Sequence, residues 1–260
     1  MRALLLDFTK CIGCGSCVEA CRAQNKLPAP PEGAPAPTKL DARHFTVLRT
    51  AAGPGDQTVN YRRMCMHCLE PTCESACPVG ALRKTAAGPV VYDPSLCLGC
   101  RYCMQACPYS VPRYEWTSRN PRVRKCNFCA DRLAQGLPNA CAEVCPVAAT
   151  VAGEREELLQ LARSRIAAEP DKYVHHIYGE RAAGGTSVLV LSPIPFDQVG
   201  LPAHLDEQPL PWLTFRVLRR IPHLAVFGGA VLTGLWWITN RRDEVAAAES
   251  EAANEKEAQS

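Results

Sequence analysis

The chain has 260 residues, with 29 Lys and Arg against 26 Asp and Glu and a net charge of +3. That near-balance, with the basic residues scattered rather than clustered, excludes the cationic footprint of a nucleic-acid binder. The length allows one good-sized core or two small ones. Sixteen cysteines beside six histidines, with 22 prolines and 17 glycines, point to a loop-rich body organised by thiols.

In chain order, ALLLDF (3–8) reads as a first strand. The opening MRALLLDFTK has neither the apolar core and small-residue cleavage site of a signal peptide nor a twin-arginine signal. Export would then be expected to depend on another chain. The Pro/Ala-rich stretch 27–38 is a surface loop without periodicity. HFTVLRT (44–50) and PVVYD (89–93) read as short strands.

The composition changes after Cys145. EREELLQLARSRIAAE (154–169) places Leu158, Ala162 and Ile166 on one helical face and opens with acids, which suit a helix N-terminus. KYVHHIYG and TSVLVLS then read as two strands joined by a turn at Gly184-Gly185, with His175 and His176 alternating in and out. The proline-rich segment 193–211 is expected to run extended. Ile221 to Thr239 carries no Asp, Glu, Lys or Arg; as a helix it would span about 28 Å, close to the hydrocarbon thickness of a bilayer. Trp236 and Trp237 sit near one end of it, where aromatic belts lie. Arg216, Arg219 and Arg220 before the span nearly balance Arg241 and Arg242 after it, so charge does not set its orientation. The acidic tail 241–260 is expected to be disordered or loosely helical.

The cysteines fall into four groups: C11-x2-C14-x2-C17-x3-C21, C65-x2-C68-x4-C73-x3-C77-P, C97-x2-C100-x2-C103-x3-C107-P and C126-x2-C129-x11-C141-x3-C145-P. Groups one and three are spaced identically and each group ends in C-x3-C, which is an internal repeat. A [4Fe–4S] cube needs one thiolate at each iron, and three cysteines in C-x2-C-x2-C can wrap one face of it. Gly13, Gly15 and Gly99 ease the wrapping and let backbone N–H groups reach the sulfurs. In bacterial ferredoxins with this run the fourth cysteine ligates the other cluster of a pair. The prolines after Cys77, Cys107 and Cys145 turn the chain there; group one departs, with Arg22 after Cys21. Zinc would be the bland alternative for groups two and four, but three cysteines in seven residues crowd one tetrahedral ion.

The pattern resembles the four-cluster iron–sulfur subunits of membrane-anchored respiratory oxidoreductases, namely the formate dehydrogenase N beta subunit and the matching subunit of quinone-reducing periplasmic [NiFe] hydrogenases. The likeness rests on the cysteine groups, CRYCMQACPYSVPRYEW (100–116), HIYGERAAGGT (176–186) and the single C-terminal span. PYSVPRYEW and LSPIPFDQVGLP look closer to the hydrogenase type. The resemblance implies an α+β fold of two pseudo-symmetric bacterial-ferredoxin-like 2[4Fe–4S] units plus one C-terminal transmembrane helix. It also implies four [4Fe–4S] clusters, held by Cys11, Cys14, Cys17 and Cys145; by Cys126, Cys129, Cys141 and Cys21; by Cys65, Cys68, Cys73 and Cys107; and by Cys97, Cys100, Cys103 and Cys77. The expected organisation is a cluster domain over 1–150, a helix and strands packing on it with an extended linker over 151–211, an anchor helix over 217–240 and an acidic tail over 241–260.

The function this implies is electron relay between a catalytic oxidoreductase subunit and an integral-membrane quinone-site or cytochrome b subunit. The chain would be a single-pass protein in the lipid bilayer, with the cluster domain expected on the periplasmic or outer face and the cytoplasmic face as the alternative. It carries no G-x-G-x-x-G, P-loop or nucleophile elbow, so it is expected not to be an enzyme alone, and no residue is assigned a catalytic role. The competing class is a soluble or membrane-associated iron–sulfur binding module or assembly factor, which has little need of a bilayer span. His67 is expected beside a cluster or at the surface, and Tyr102 and Tyr109 packed over clusters.

Overall fold

In the computed structural model, which describes residues 1–258, short strands alternate with short helices that carry the cysteines. The elements are β1 Arg2–Asp7, α1 Ser16–Gln24, β2 Val47–Ala52, β3 Thr58–Arg63, α2 Thr72–Ser75, β4 Leu82–Lys84, β5 Val90–Tyr92, α3 Tyr102–Ala106, β6 Arg113–Tyr114 and β7 Val123–Arg124. They continue with α4 Ala130–Ala134, α5 Ala140–Glu143, β8 Thr150–Glu154, α6 Arg155–Ala168, β9 Val188–Leu191, α7 Leu210–Leu218 and α8 Ile221–Ala258. Met1–Pro211 forms one unit and the chain from Trp212 onward a second.

The central sheet has the order β8-β1-β9, with β1 antiparallel to β8 (Leu4 opposite Ala152) and parallel to β9 (Leu4 opposite Val188). Strand β1 is a continuous apolar run because both its faces are covered. Side chains alternate across a strand, so Ala3 and Leu5, with Leu189 and Leu191, meet Leu158, Leu159 and Ala162 of α6. Leu4 and Leu6, with Val188 and Val190, face the cysteine-bearing body instead. Each of these leucines is fully buried or nearly so, contributing about 1.5–3 kcal/mol of transfer free energy.

The end of β1 is fixed by a buried carboxylate. Asp7 is fully buried; Arg165 of α6 reaches its Oδ2 at 2.8 Å, the Tyr173 hydroxyl donates to the same oxygen at 3.1 Å, and the Thr9 hydroxyl and amide donate to Oδ1. Near the other end of α6, the Arg155 guanidinium donates to the carbonyls of Gly179, Glu180 and Thr186. These bonds hold the 179–187 loop against the sheet. That loop in turn pairs with the second cysteine group, Leu69 N–H donating to Gly185 O and Ser187 N–H to His67 O.

The helices pair as a nest: α1 packs on α5, and α2 on α3. The early and late parts of the chain thus build one half of the cysteine body and the middle builds the other. Three two-stranded ribbons, β2-β3, β4-β5 and β6-β7, complete that body.

Four local expectations are corrected. KYVHHIYG is not a strand: Pro170–Lys172 form a 3-10 turn, and only Tyr178 makes a bridge, to Val190. Pro170 and the Val174 and Tyr178 contacts to the β9 region tie the segment down piecemeal, and both His175 and His176 are exposed rather than alternating. The expected turn at Gly184-Gly185 is a 3-10 element, Ala182–Gly184, with Gly185 closing it. Residues 193–211 do not simply run extended, since turns fill 193–200 and α7 begins at Leu210.

In the second unit, α7 and α8 are separated by Arg219 and Arg220, because Pro222 has no N–H to continue the first helix. Helix α8 runs unbroken through the acidic stretch to Ala258. By length and composition this unit has one helix long and apolar enough to cross a membrane, and its apolar side chains, Leu224, Phe227, Trp236 and Trp237 among them, are exposed.

Candidate metal centres

The four cysteine groups share a backbone device. The residue before the second cysteine of each C-x2-C has positive φ: Gly13 at 74°, His67 at 47°, Gly99 at 74° and Phe128 at 60°. This left-handed residue turns the two sulfurs of each pair to one side and points amides at them. Gly99 N–H donates to Cys97 Sγ at 3.4 Å, and Phe128 N–H to Cys126 Sγ at 3.3 Å. For Gly13 space is also limiting, since a Cβ there would lie 2.7 Å from Asn60 Oδ1. The Asn60 amide cannot yield freely, because its Nδ2 donates to Cys11 O at 3.1 Å.

The helices then bring distant cysteines together. One cavity is lined by Cys11, Cys14 and Cys17 of the first group and by Cys145 from the end of the fourth. A second is lined by Cys126, Cys129 and Cys141 together with Cys21. In the other half, Cys68 interacts electrostatically with Cys65, Cys107 and Cys73, and Cys103 with Cys100, Cys97 and Cys77. All sixteen cysteines are free thiols, and none is in a disulfide. Among the described residues, no three His, Cys, Asp or Glu side chains converge tightly enough for one metal ion. The sulfurs ring spaces instead of meeting at a point.

Comparison with known proteins identifies this arrangement. The family described as "4Fe-4S dicluster domain" matches twice, over residues 10–81 and 58–155. A protein of Nitratidesulfovibrio vulgaris is 40% identical over 258 residues, covering 96% of this chain and 70% of the relative. The hydrogenase-2 operon protein HybA of Escherichia coli O157:H7 is 37% identical over 241 residues, covering 78% and 73%. The iron–sulfur subunit of the nitrate-inducible formate dehydrogenase of Escherichia coli is 34% identical over 197 residues, covering 72% and 66%. The chain belongs to the 4Fe-4S dicluster family of electron-transfer subunits. Its fold is α+β with two dicluster ferredoxin domains, and its sixteen cysteines in four groups are consistent with four [4Fe–4S] clusters.

The electrostatics of this dicluster subunit fit such groups. Burial, then the sulfurs of Cys141 and Cys129, push the Cys21 thiol up to about 12. Burial and Cys65 push Cys73 up to about 12, and burial with Cys100 and Cys97 pushes Cys103 up to about 11. Thiols crowded in a dry interior do not ionise together unless a multivalent cationic core compensates them. Cys77 goes the other way. Burial opposes its charge, but the amides of residues 79–82 outweigh that and hold it below the usual thiol value; the Ala81 N–H donates at 3.2 Å. A buried cation also faces the cavities: Arg62 lines both the first and the second, and its Nε and Nη1 have no hydrogen-bond partner. Donors left without acceptors beside rings of cysteines fit sulfur-rich groups in both spaces.

Sequence reasoning missed several of these residues. Arg62 sits in a strand with no motif around it, so nothing local marks it. His67 is fully buried and not at the surface; its Nδ1 accepts the Val90 N–H at 2.9 Å. Burial and the neighbouring Lys125 and Lys84 keep the His67 imidazole neutral, well below its ordinary pKa. Lys125 donates to the carbonyls of Val90 and Cys126, and Lys84 to His67 O and Ser187 Oγ, so both amines brace the cysteine loops. Tyr109 is buried, its ring edge-on to Tyr178 at 6.4 Å, and it excludes water beside Cys107. Tyr102 is 61% exposed.

Proposed function

We propose that the chain is the electron-relay subunit of a membrane-associated oxidoreductase. It would carry single electrons between a catalytic subunit of hydrogenase or formate dehydrogenase type and a membrane subunit with a quinone site or cytochrome b. The four ligand sets would be Cys11, Cys14, Cys17 and Cys145; Cys21, Cys126, Cys129 and Cys141; Cys65, Cys68, Cys73 and Cys107; and Cys77, Cys97, Cys100 and Cys103.

The observation that carries this reading is the linear order of the sulfur sets. Cys17 is within electrostatic reach of Cys21, linking the first set to the second. Cys126 is within electrostatic reach of Cys65, linking the second to the third, and Cys73 of Cys103, linking the third to the fourth. The two exposed cysteines, Cys14 and Cys100, fall in the first and last sets. A relay needs this layout, buried in the middle and open at both ends.

The clusters would supply one-electron chemistry through changes of iron valence, with every thiolate position filled by the protein. The chain's own residues do the rest. The amides at Gly99, Phe128 and Ala81 donate to sulfur, the apolar body keeps water out, and the left-handed residues fix the spacing. No residue here is assigned to bond-making with a substrate. Helix α8 would hold the subunit in the bilayer, its tryptophans at one interface. The cluster unit would lie on the outer face, carried there folded with a catalytic partner, a step that rests on family analogy alone.

Anaerobic pull-down of the tagged chain in mild detergent, followed by mass spectrometry, tests this. Recovery of a hydrogenase or molybdopterin subunit with a polytopic membrane protein is the expected result and names the substrate. A loaded chain recovered alone would move the reading to an independent carrier or assembly factor.

A further inference from the structure

Arg62, on β3, is 5% exposed. Its Nη2 donates to Met64 Sδ at 3.0 Å, while Nε and Nη1 have no partner. Among the described residues no carboxylate forms an ion pair with it. The guanidinium interacts most strongly with the sulfurs of Cys141, from the second set, and Cys17, from the first, by charge and by hydrogen bonding. A buried guanidinium without a counter-charge is costly and keeps its proton regardless. The chain has therefore fixed a positive charge between two adjacent cavities, answered by sulfurs of both sets rather than by a carboxylate.

We propose that Arg62 is a positioning residue shared by the first and second cluster sites. Its fixed charge and its N–H donors stabilise the reduced state of both and hold both potentials up. This rests on the ligand sets proposed above. The step it serves moves one electron from one cluster to the next, one being oxidised as the other is reduced. No proton is transferred, because arginine does not release one. Reduction adds a negative charge to a site, so a nearby cation favours it, and its N–H donors add to that preference.

The test is an anaerobic redox titration of the full chain followed by electron paramagnetic resonance, with iron counted per chain. Arg62→Met fills the volume without the charge. It is expected to lower the midpoint potentials of two of the four clusters, by a tenfold or larger change in reduction equilibrium, about 59 mV for one electron. Arg62→Lys, which keeps the charge, is expected to recover most of the shift, a result that lost packing alone would not give. Unchanged potentials in Arg62→Met, or an equal fall in all four clusters, would overturn the proposal. If Arg62→Met loses iron, Arg62→Gln against Arg62→Lys decides: Gln shifted and Lys held supports it, equal potentials sink it, and equal loss of iron in both reduces Arg62 to a packing role and also sinks it. Fewer than about sixteen irons in the unsubstituted chain would instead fail the four-site reading, four irons belonging to each cube.

Discussion

The rings of His67 and Phe128 lie 4.6 Å apart and tilted by 55°, and both residues are left-handed at the same position of their C-x2-C loops. Groups one and three place glycine there, while groups two and four place large side chains and accept the backbone cost, about 1–3 kcal/mol for each. The ring contact and the Val90 hydrogen bond to His67 hold the two loops in that conformation and clamp the second group to the fourth. Phe128→Ala is expected to remove about 3–5 kcal/mol of stability. Denaturant titration of the anaerobic, loaded protein reads this as a lower midpoint, and a change below about 1 kcal/mol would mean the clamp is redundant.

Two glycines of the first group separate conformation from space. Gly13 and Gly15 have φ of 74° and 77°, but a Cβ on Gly15 meets nothing within 4 Å while one on Gly13 strikes Asn60. Gly15→Ala should cost only the backbone term, about 1–2 kcal/mol. Gly13→Ala should cost more and displace Asn60 from Cys11 O, so iron loading should fall further in Gly13→Ala. Equal loading in the two variants would show that Asn60 moves freely.

Anaerobically purified protein is expected to contain about sixteen irons and sixteen acid-labile sulfides per chain, four of each to a cube. About four zinc ions instead would end the cluster reading. Cys100→Ser should lower the count towards about twelve, the loss of one cube, and leave the remaining clusters reducible, because Cys100 is exposed and its loss disturbs little packing. Loss of all four clusters would mean that the sites assemble only together.

The ion pair between Arg165 and Asp7 fixes α6 to the sheet end of β1. Arg165→Met should cost about 3 kcal/mol, since it strands a fully buried carboxylate, and calorimetric or denaturant midpoints should fall accordingly. A shift near zero would show that Tyr173 and Thr9 satisfy Asp7 by themselves.

Deleting residues 217–260 removes the end of α7 and all of α8. The truncated chain is expected in the soluble fraction with its clusters intact, because the cysteine unit ends at Pro211. Firm membrane attachment after the deletion would assign anchoring to partner subunits.

The sequence alone determined the cofactor chemistry. Thiol spacing is local: C-x2-C fixes the bite of a ligand loop whatever surrounds it, and four groups built on it, each ending in C-x3-C with none left over, admit few other readings. Hydrophobic periodicity and length likewise made β1, α6 and the apolar C-terminal helix legible. It was weaker where pairing decides structure. KYVHHIYG has strand-forming residues but only one bridge to β9, and the acidic tail is helical because it extends α8. Tertiary structure alone decided which cysteines meet, since the nested packing of α1 on α5 and α2 on α3 is a long-range matter. It alone placed Arg62 between two cavities and His67 against Phe128, because a buried charge or a ring contact is defined by what folds around it rather than by its neighbours in the chain.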